Sequence, residues 1–576
     1  MARQYHPRQR CGRGVAAVAA ALLLAAGALV APASAHAGAP AAAPAGTQAS
    51  RINRAATDAR FGVDEAFPQA ATADALGVRW TRVPFIWDYV QPTGPASYNP
   101  FVLSSHGSDA VIDSEIAQGR TPVGLLLGTP AWARQNKAWG EASVPVNIDL
   151  PWNDPKNYWA AYCYTMAKHY AGKIDQWIIW NEVSIPTGTN GQAGQWTQWR
   201  GTPAQYARLL QVAYQAIHAA NSSAQVVLYG DPYWYDHGAY LSHILDLLAK
   251  ADPTNRDHGY FDAANLHLYI GAPSFYWIIS DLRAKLRAHG WSTKQVWVSE
   301  TNVEPYDDPS HREPVDQFRV TMDEQAGFLV DAFATDIAAR ADRIEVYRMF
   351  DGKETTDGLA ALGLVSNRVV KGQHVLRPAG RTFKFLVSLL KGAAGGTYTK
   401  GELYPDPYSG GKAGVFKVVT TTPGARITVL YNQLGAHPSY TAPYHTDPAT
   451  PGVRYDAKDF VVLPLRDAQG VRYDRNATAT YTLAARATQA TIYDKYGNAL
   501  TLKEGQTKAI NTHDTTPNGT PVAGLARTTI SLRHGVYTVQ LRGGRTYSNP
   551  ADPRIPTVGG DPVIIVEPTG GHGAAR

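Results

Sequence analysis

Short apolar runs alternate with longer stretches of helical spacing from about residue 60 to residue 393. The apolar runs Phe61–Val63, Val78–Pro84, Pro122–Leu127, Gln176–Trp180, Gln225–Tyr229, Ala263–Tyr269, Gln295–Ser299 and Arg343–Met349 have the length and composition of buried strands. Between them, WAAYCYTMAKHYA at 159–171, PAQYARLLQVAYQAIHAA at 203–220 and GRTFKFLVSLLKG at 380–392 place apolar residues at helical intervals. Strand followed by helix, eight times over, predicts an α/β chain folded as a (β/α)8 TIM barrel. A doubly wound open sheet would alternate in the same way, but no glycine-rich phosphate turn follows the first strand.

The pattern changes after about Ala394. Helical spacing stops, and alternating runs such as VFKVVTTT, ARITVLYN, ATYTLAA and HGVYTVQLRGG appear between turn residues. This predicts an all-β sandwich over 394–550, followed by a Pro/Gly-rich tail at 551–576. At the other end, Arg3, Arg8, Arg10 and Arg13 precede an apolar stretch from Val15 to Ala31 and two small-residue cleavage sites. Residues 1–35 read as a signal peptide cut near Ala35 or Ala37, and 36–59 as a disordered linker. A membrane anchor is the alternative, but the stretch is short for a span and no later segment is long and apolar enough for one. The expected location is therefore extracellular, with no membrane association after cleavage.

Charge and cysteine content narrow the function classes. The formal net charge is +6, and loss of residues 1–35, with four arginines and no acids, leaves about +2. So balanced a chain gives no argument for nucleic acid or anionic lipid as a partner. Only Cys11 and Cys163 exist, and Cys11 leaves with the signal, so no internal disulfide can form. Cys163 lies in an apolar helical pattern, as a buried thiol would. Cys/His metal clusters are absent, and neither a metal nor a cofactor is expected.

In a barrel of this kind the reacting groups stand at the C-terminal ends of the strands. Two runs end in acids there: IDQWIIWNE, closing on Asn181-Glu182, and KQVWVSE, closing on Ser299-Glu300. They are 118 residues apart, or three units at about 40 residues each, which sets strand four across the mouth from strand seven. Two carboxyls facing across a sugar-sized gap meet the needs of glycosidic cleavage: one protonated, to give a proton to the leaving oxygen, and one ionised, to attack the anomeric carbon.

IIWNE and VSE, in that order, resemble the acid/base and nucleophile strands of clan A glycoside hydrolases. GVRWTRVPFIWDYVQP, LGTPAWA and NLHLY are similar to the second-, third- and sixth-strand ends of that clan, and AAYCYTMAKHYAGKIDQWIIWNE is most like the family 39 group and its relatives. The resemblance covers about residues 60–390. It implies a retaining hydrolase of O-glycosyl compounds acting on a polysaccharide or oligosaccharide, with Glu182 as acid/base and Glu300 as nucleophile. It further implies that Asn181 bonds the sugar 2-hydroxyl, Arg82 keeps Glu300 ionised, Tyr269 orients Glu300 and His267 lines the same wall. Clan members commonly carry a tryptophan at the end of strand eight, where this chain has RIEVYRMFDG. All 14 tryptophans lie between Trp80 and Trp297; Trp132, at the end of strand three, is the one expected to stack on sugar, with Trp87, Trp139, Trp152, Trp196, Trp199 and Trp234 near the same rim. A transglycosylase using the same residues, and an inactive barrel that binds glycan, are the competing readings. The sugar, the linkage, the mode of attack and the oligomeric state are left open.

Overall fold

The computed structural model describes residues 58–98, 108–185, 198–233, 238–269, 272–305, 307–309, 311–312, 319–351, 360–405, 412–434, 445–446, 454–455, 471–473, 478–510, 528–542, 545–547 and 561–569. The expected signal peptide, all but the last two residues of the expected linker, and Trp196 and Trp234 lie outside these residues. Asp58, assigned to the linker, is part of the fold: it pairs with Arg60 and accepts from the Gly392 amide, tying the barrel's first strand to its last helix.

Eight strands close into a barrel: β1 (Phe61–Val63), β2 (Trp80–Ile86), β3 (Thr121–Leu127), β4 (Gln176–Ile179), β5 (Gln225–Val227), β6 (Ala263–His267), β7 (Gln295–Thr301) and β8 (Arg343–Val346). Every neighbouring pair is parallel, and β1 closes the ring against β8. The intervening helices are α1 (Ala70–Leu76), α2 (Asp109–Ala117), α3 (Tyr158–His169), α4 (Pro203–Ala220), α5 (Ala239–Ala251), α6 (Ala272–Ala288), α7 (Met322–Ala338) and α8 (Pro378–Leu389). Cys163 is buried in α3, and burial pushes its thiol well up. No helix among the described residues is long and apolar enough to cross a membrane.

The barrel is plugged from below. Trp80 and Trp297 meet inside it at 5.7 Å, with Val123, Leu125, Ile178, Val227 and Ala263 around them. The Arg343 guanidinium lies 4.5 Å over Trp297 and 5.2 Å over Trp80. This is room only a glycine leaves: a Cβ on Gly62 would sit 2.4 Å from the Trp80 ring. Two residues further along their strands than Trp80 and Arg343, β-strand alternation brings Arg82 and Glu345 inward, above the plug.

Two larger antiparallel sheets follow among the described residues, beside smaller two-stranded ones. The larger has the order β9 (Gly396–Pro405), β10 (Lys412–Thr422), β11 (Ala425–Leu434), β18 (Val563–Pro568), β13 (Gln489–Tyr493), β14 (Ala499–Lys503). The smaller has the order β12 (Thr478–Ala484), β17 (Val536–Arg542), β16 (Thr528–Arg533), β15 (Thr507–Ile510). The position of β18 corrects the expected tail at 551–576: VIIVEP is a central strand, paired with both β11 and β13. It is buried on both faces, so it shows no polar alternation, and the Pro/Gly-rich sequence around it hides the run.

The larger sheet is apolar on both sides for a reason. Val415, Leu430, Val563 and Ile565 face Ile530, Leu532, Val539 and Leu541 of the smaller sheet. The alternate residues Phe416, Val418, Val429, Tyr431 and Ile564 join the barrel's own core. Tyr398 stacks on Tyr276 at 4.9 Å and donates to the Pro273 carbonyl, and Thr382 donates to the Lys495 carbonyl. The sandwich thus covers α7, buried from Asp323 to Ala338.

That cover buries two acids. Asp331 and Asp336 of α7 have no hydrogen-bond partner for either carboxyl oxygen among the described residues, and burial pushes both pKa values well up. An acid whose pKa is higher folded than unfolded contributes most stability below its unfolded value, near 3.9, and loses it as pH rises. Asp336→Asn, which cannot ionise, is therefore expected to raise the unfolding midpoint at pH 8 and to change it little near pH 4. Thermal unfolding of both proteins across that range tests it; a lower midpoint for the variant at pH 8 would contradict the assignment.

Candidate active site

Glu182 stands three residues beyond Ile179, the last paired residue of β4. The chain leaves the barrel wall there through left-handed backbone at Trp180 (φ 67°) and Glu182 (φ 44°), conformations that cost energy for residues with a Cβ. Hydrogen bonds fix the turn: the Trp180 amide to the Leu126 carbonyl at 2.8 Å and the Glu182 amide to the Tyr229 carbonyl at 3.0 Å. Beyond it, Ser184 and Tyr229 both donate to Asp231.

Glu300 reaches the same height by a different device. The β6–β7 pairing shifts register between Leu266, opposite Val298, and His267, opposite Glu300. This bulge puts one extra residue into β7 and re-aims the side chains beyond it. Ser299 bonds the His267 ring through Nε2 at 3.1 Å, and Glu300 points into the mouth.

An oxygen of Glu182, a ring nitrogen of His267 and an oxygen of Glu300 lie within 4.8 Å of one another. His267 Nδ1 is 2.9 Å from Glu182 Oε1 and 3.5 Å from Glu300 Oε2. Its ring has space because the facing residue is Gly230 (φ +73°), whose Cβ would lie 2.1 Å from Nε2. Arg82 Nη2 donates to Glu300 Oε1 at 2.6 Å, and Tyr269 donates its hydroxyl to Oε2 at 2.5 Å. Glu182 is 4% exposed and Glu300 3%, so these contacts act with little solvent screening.

The two carboxyls are held in opposite senses. Burial raises Glu182, the Glu300 charge raises it further, and the His267 contact offsets only part of this. Burial also works to raise Glu300, but His267, Arg82 and the Tyr269 hydroxyl outweigh it and hold that carboxyl below its usual value. Glu182 and Glu300, with His267, could by type and spacing hold a cation. Against that, both Glu300 oxygens are engaged and Arg82 already brings a positive charge to one of them, an arrangement suited to proton transfer.

Five of the expected site residues therefore converge: Glu182, Glu300, Arg82, His267 and Tyr269. Asn181 is buried beside Glu182 with no partner for Oδ1 among the described residues. Trp132 is half-buried. Its ring packs edge-on against Trp87 at 5.7 Å and Tyr158 at 5.2 Å, and its N–H donates to the Gln91 carbonyl. It is a member of a rim aromatic cluster.

Sequence reasoning missed the support under Arg82. Asp64, one residue past β1, takes Arg82 in two bonds, Nε to Oδ1 at 3.0 Å and Nη2 to Oδ2 at 3.1 Å. Glu345 of β8 accepts from the Arg82 amide, and burial holds its carboxyl well above the usual range. One arginine nitrogen thus joins Asp64 to Glu300. The inward alternation of Arg343 and Glu345 in RIEV was the available signal for Glu345. Asp64 had none beyond its place at a strand end.

No protein-family model and no curated protein matches the chain. Among solved structures it is similar to a glucosidase from Croceicoccus marinus at 11% identity, over 88% of this chain and 95% of that one, with a TM-score of 0.47. It is similar to the catalytic domain of GH30 xylanase C from Talaromyces cellulolyticus at 10% identity, over 88% and 96%, with a TM-score of 0.45. An alpha-L-arabinofuranosidase from Thermotoga maritima is 11% identical over 86% of this chain and 89% of its own, with a TM-score of 0.43.

Proposed function

We propose that the chain is a secreted retaining glycoside hydrolase that cleaves O-glycosidic bonds by double displacement. The observation that carries this reading is one pair of buried carboxyls, with an oxygen of each within 4.8 Å, titrating in opposite directions. Retaining sites hold their carboxyls about 5–5.5 Å apart, whereas inverting sites leave about 6.5–9.5 Å for a water. The close pair supports retention.

In the first step a Glu300 oxygen attacks the anomeric carbon. The bond to the leaving oxygen breaks, and Glu182 gives that oxygen its proton. In the second, Glu182, now ionised, takes a proton from water, whose oxygen displaces Glu300. Arg82 and Tyr269 hold Glu300 as the carboxylate, and His267 orients Glu182. Asn181 offers its unspent polar group to the sugar 2-hydroxyl. The arginine-rich leader and small-residue cleavage sites of residues 1–35 support export.

The test is a panel of aryl glycosides differing in sugar and anomer, with the product followed by proton NMR before mutarotation. One or more members should be cleaved, and the first-formed sugar should keep the substrate's anomeric configuration. Inverted product would remove Glu300 from the nucleophile's role, and inactivity across the panel would count against the glycosidase reading itself.

A further inference from the structure

One ion pair at the barrel mouth is left loose. Glu65 follows Asp64 at the end of β1, in left-handed backbone (φ 49°), and Arg348 lies two residues beyond β8. Their nearest charged atoms, Arg348 Nη1 and Glu65 Oε2, are 3.9 Å apart, too far for a hydrogen bond. The side chains are 10% and 14% exposed, so they are mostly desolvated yet reachable. Arg348 is otherwise held by Nη2, which donates to the Asp351 carbonyl at 2.5 Å, and its Nε has no partner among the described residues.

The backbone ties this pair to the catalytic carboxyls. The Glu65 amide bonds the Arg82 carbonyl, and the Met349 amide bonds the Asp64 carbonyl. Arg348 lies 5.7 Å over the ring of Tyr347, which meets Tyr269 edge-on at 6.5 Å; Tyr269 in turn holds Glu300. The pair is thus two rings from the nucleophile, on the wall opposite Glu182.

Resting on the glycosidase reading, we propose that Glu65 and Arg348 together bind one hydroxyl of the sugar, away from the reacting carbon, and select a neutral sugar. A hydroxyl is both acceptor and donor. Its oxygen can stand about 2.8 Å from both atoms, accepting from Arg348 and donating to Glu65. A sugar carboxylate fits worse: Asp64, Glu65 and Glu300 all lie on this wall, against Arg82 and Arg348, and Arg82 is already committed to two of the acids. Burial and the Asp64 charge raise Glu65 to about 7, so the carboxyl is near balance between accepting and donating forms.

The experiment compares wild type, Glu65→Gln, Glu65→Ala and Arg348→Gln on the best aryl glycoside of the panel, its monodeoxy analogues and its uronide. Thermal unfolding monitors folding. The expected result is a loss in kcat/KM of about 10²-fold or more for the alanine and Arg348 variants on the parent glycoside, because a built polar site is left unpaired. On one deoxy analogue the same variants should lose under about 3-fold relative to wild type, and the uronide should be the poorest substrate. Folded variants that lose equally on every analogue, or lose nothing, would overturn this assignment while wild-type cleavage keeps the glycosidase reading. A wild type that favours the uronide would overturn the neutral-sugar selection alone. If Glu65→Ala does not fold, Glu65→Gln and Arg348→Gln carry the same comparison. A wild type inactive on every glycoside overturns both readings.

Discussion

Glu300→Gly is expected to lower kcat on an aryl glycoside by about 10⁴-fold or more, and added azide to restore turnover with a changed product. The variant removes the carboxylate that Arg82 and Tyr269 jointly hold in its ionised form. It also leaves space on that face of the sugar. Azide entering there attacks the anomeric carbon once. Its adduct is not displaced by water, so the product is a glycosyl azide of the opposite anomeric configuration to the substrate. An azide product of unchanged configuration would mean that attack came from the other face and that Glu300 is not the nucleophile. Loss without rescue, accompanied by a lower unfolding midpoint, would point instead to a structural role. A buried Arg82 left with Asp64 and an empty space is the concern there, and Glu300→Gln, which keeps the shape, separates the two: it should lose as much activity and little stability.

The two carboxyls were legible in sequence because each sits where a short apolar run stops: Glu182 and Glu300 follow WIIWN and VWVS. Arg82, His267 and Tyr269 were legible only through the resemblance of their segments to a known clan. Barrel closure then does what no local pattern can. Glu345 reaches Arg82 only because β1 and β8, first and last of the barrel strands, are neighbours, while Asp64 reaches it from β1 across the β1–β2 pairing. The loose Glu65–Arg348 pair depends on the same closure. Trp132 was legible as an aromatic at a strand end, but its packing against Trp87 and Tyr158 required the fold. In the second half, strand length and alternation were visible at β10, β11, β12 and β17. They were not visible at β18, where both faces are covered and only a short apolar run, VIIV, remains.

Substitution of Glu182 should depend on the leaving group in a way that substitution of Glu300 does not. The Glu182 carboxyl is raised by burial and by the Glu300 charge, and Glu300 is held low against its own burial, so between the two values Glu182 is protonated while Glu300 is ionised. The active form of the pair is bounded on both sides. As pH falls through the lowered Glu300 value the nucleophile is lost, and as pH rises through the raised Glu182 value the acid is lost, so kcat/KM follows a bell. Glu182→Ala removes the acid. With an alkyl or unactivated aryl leaving group, kcat/KM should fall by about 10²–10⁴-fold, the range typical of general acid catalysis. With dinitrophenolate, which departs without a proton, it should fall little, and the basic limb of the bell should disappear. The second step also needs Glu182, to take a proton from water, so a glycosyl-enzyme should accumulate and kcat on the activated substrate should be low. Azide needs no base. It should raise that kcat and give an azide of the same configuration as the substrate, the reverse of the outcome for Glu300→Gly. The opposed products, measured on two variants of one protein, assign the faces of the sugar to the two carboxyls. Equal losses on activated and unactivated substrates, or a basic limb that survives in Glu182→Ala, would show that the proton comes from elsewhere. His267, at 2.9 Å from Glu182 Oε1, would then be the first residue to examine.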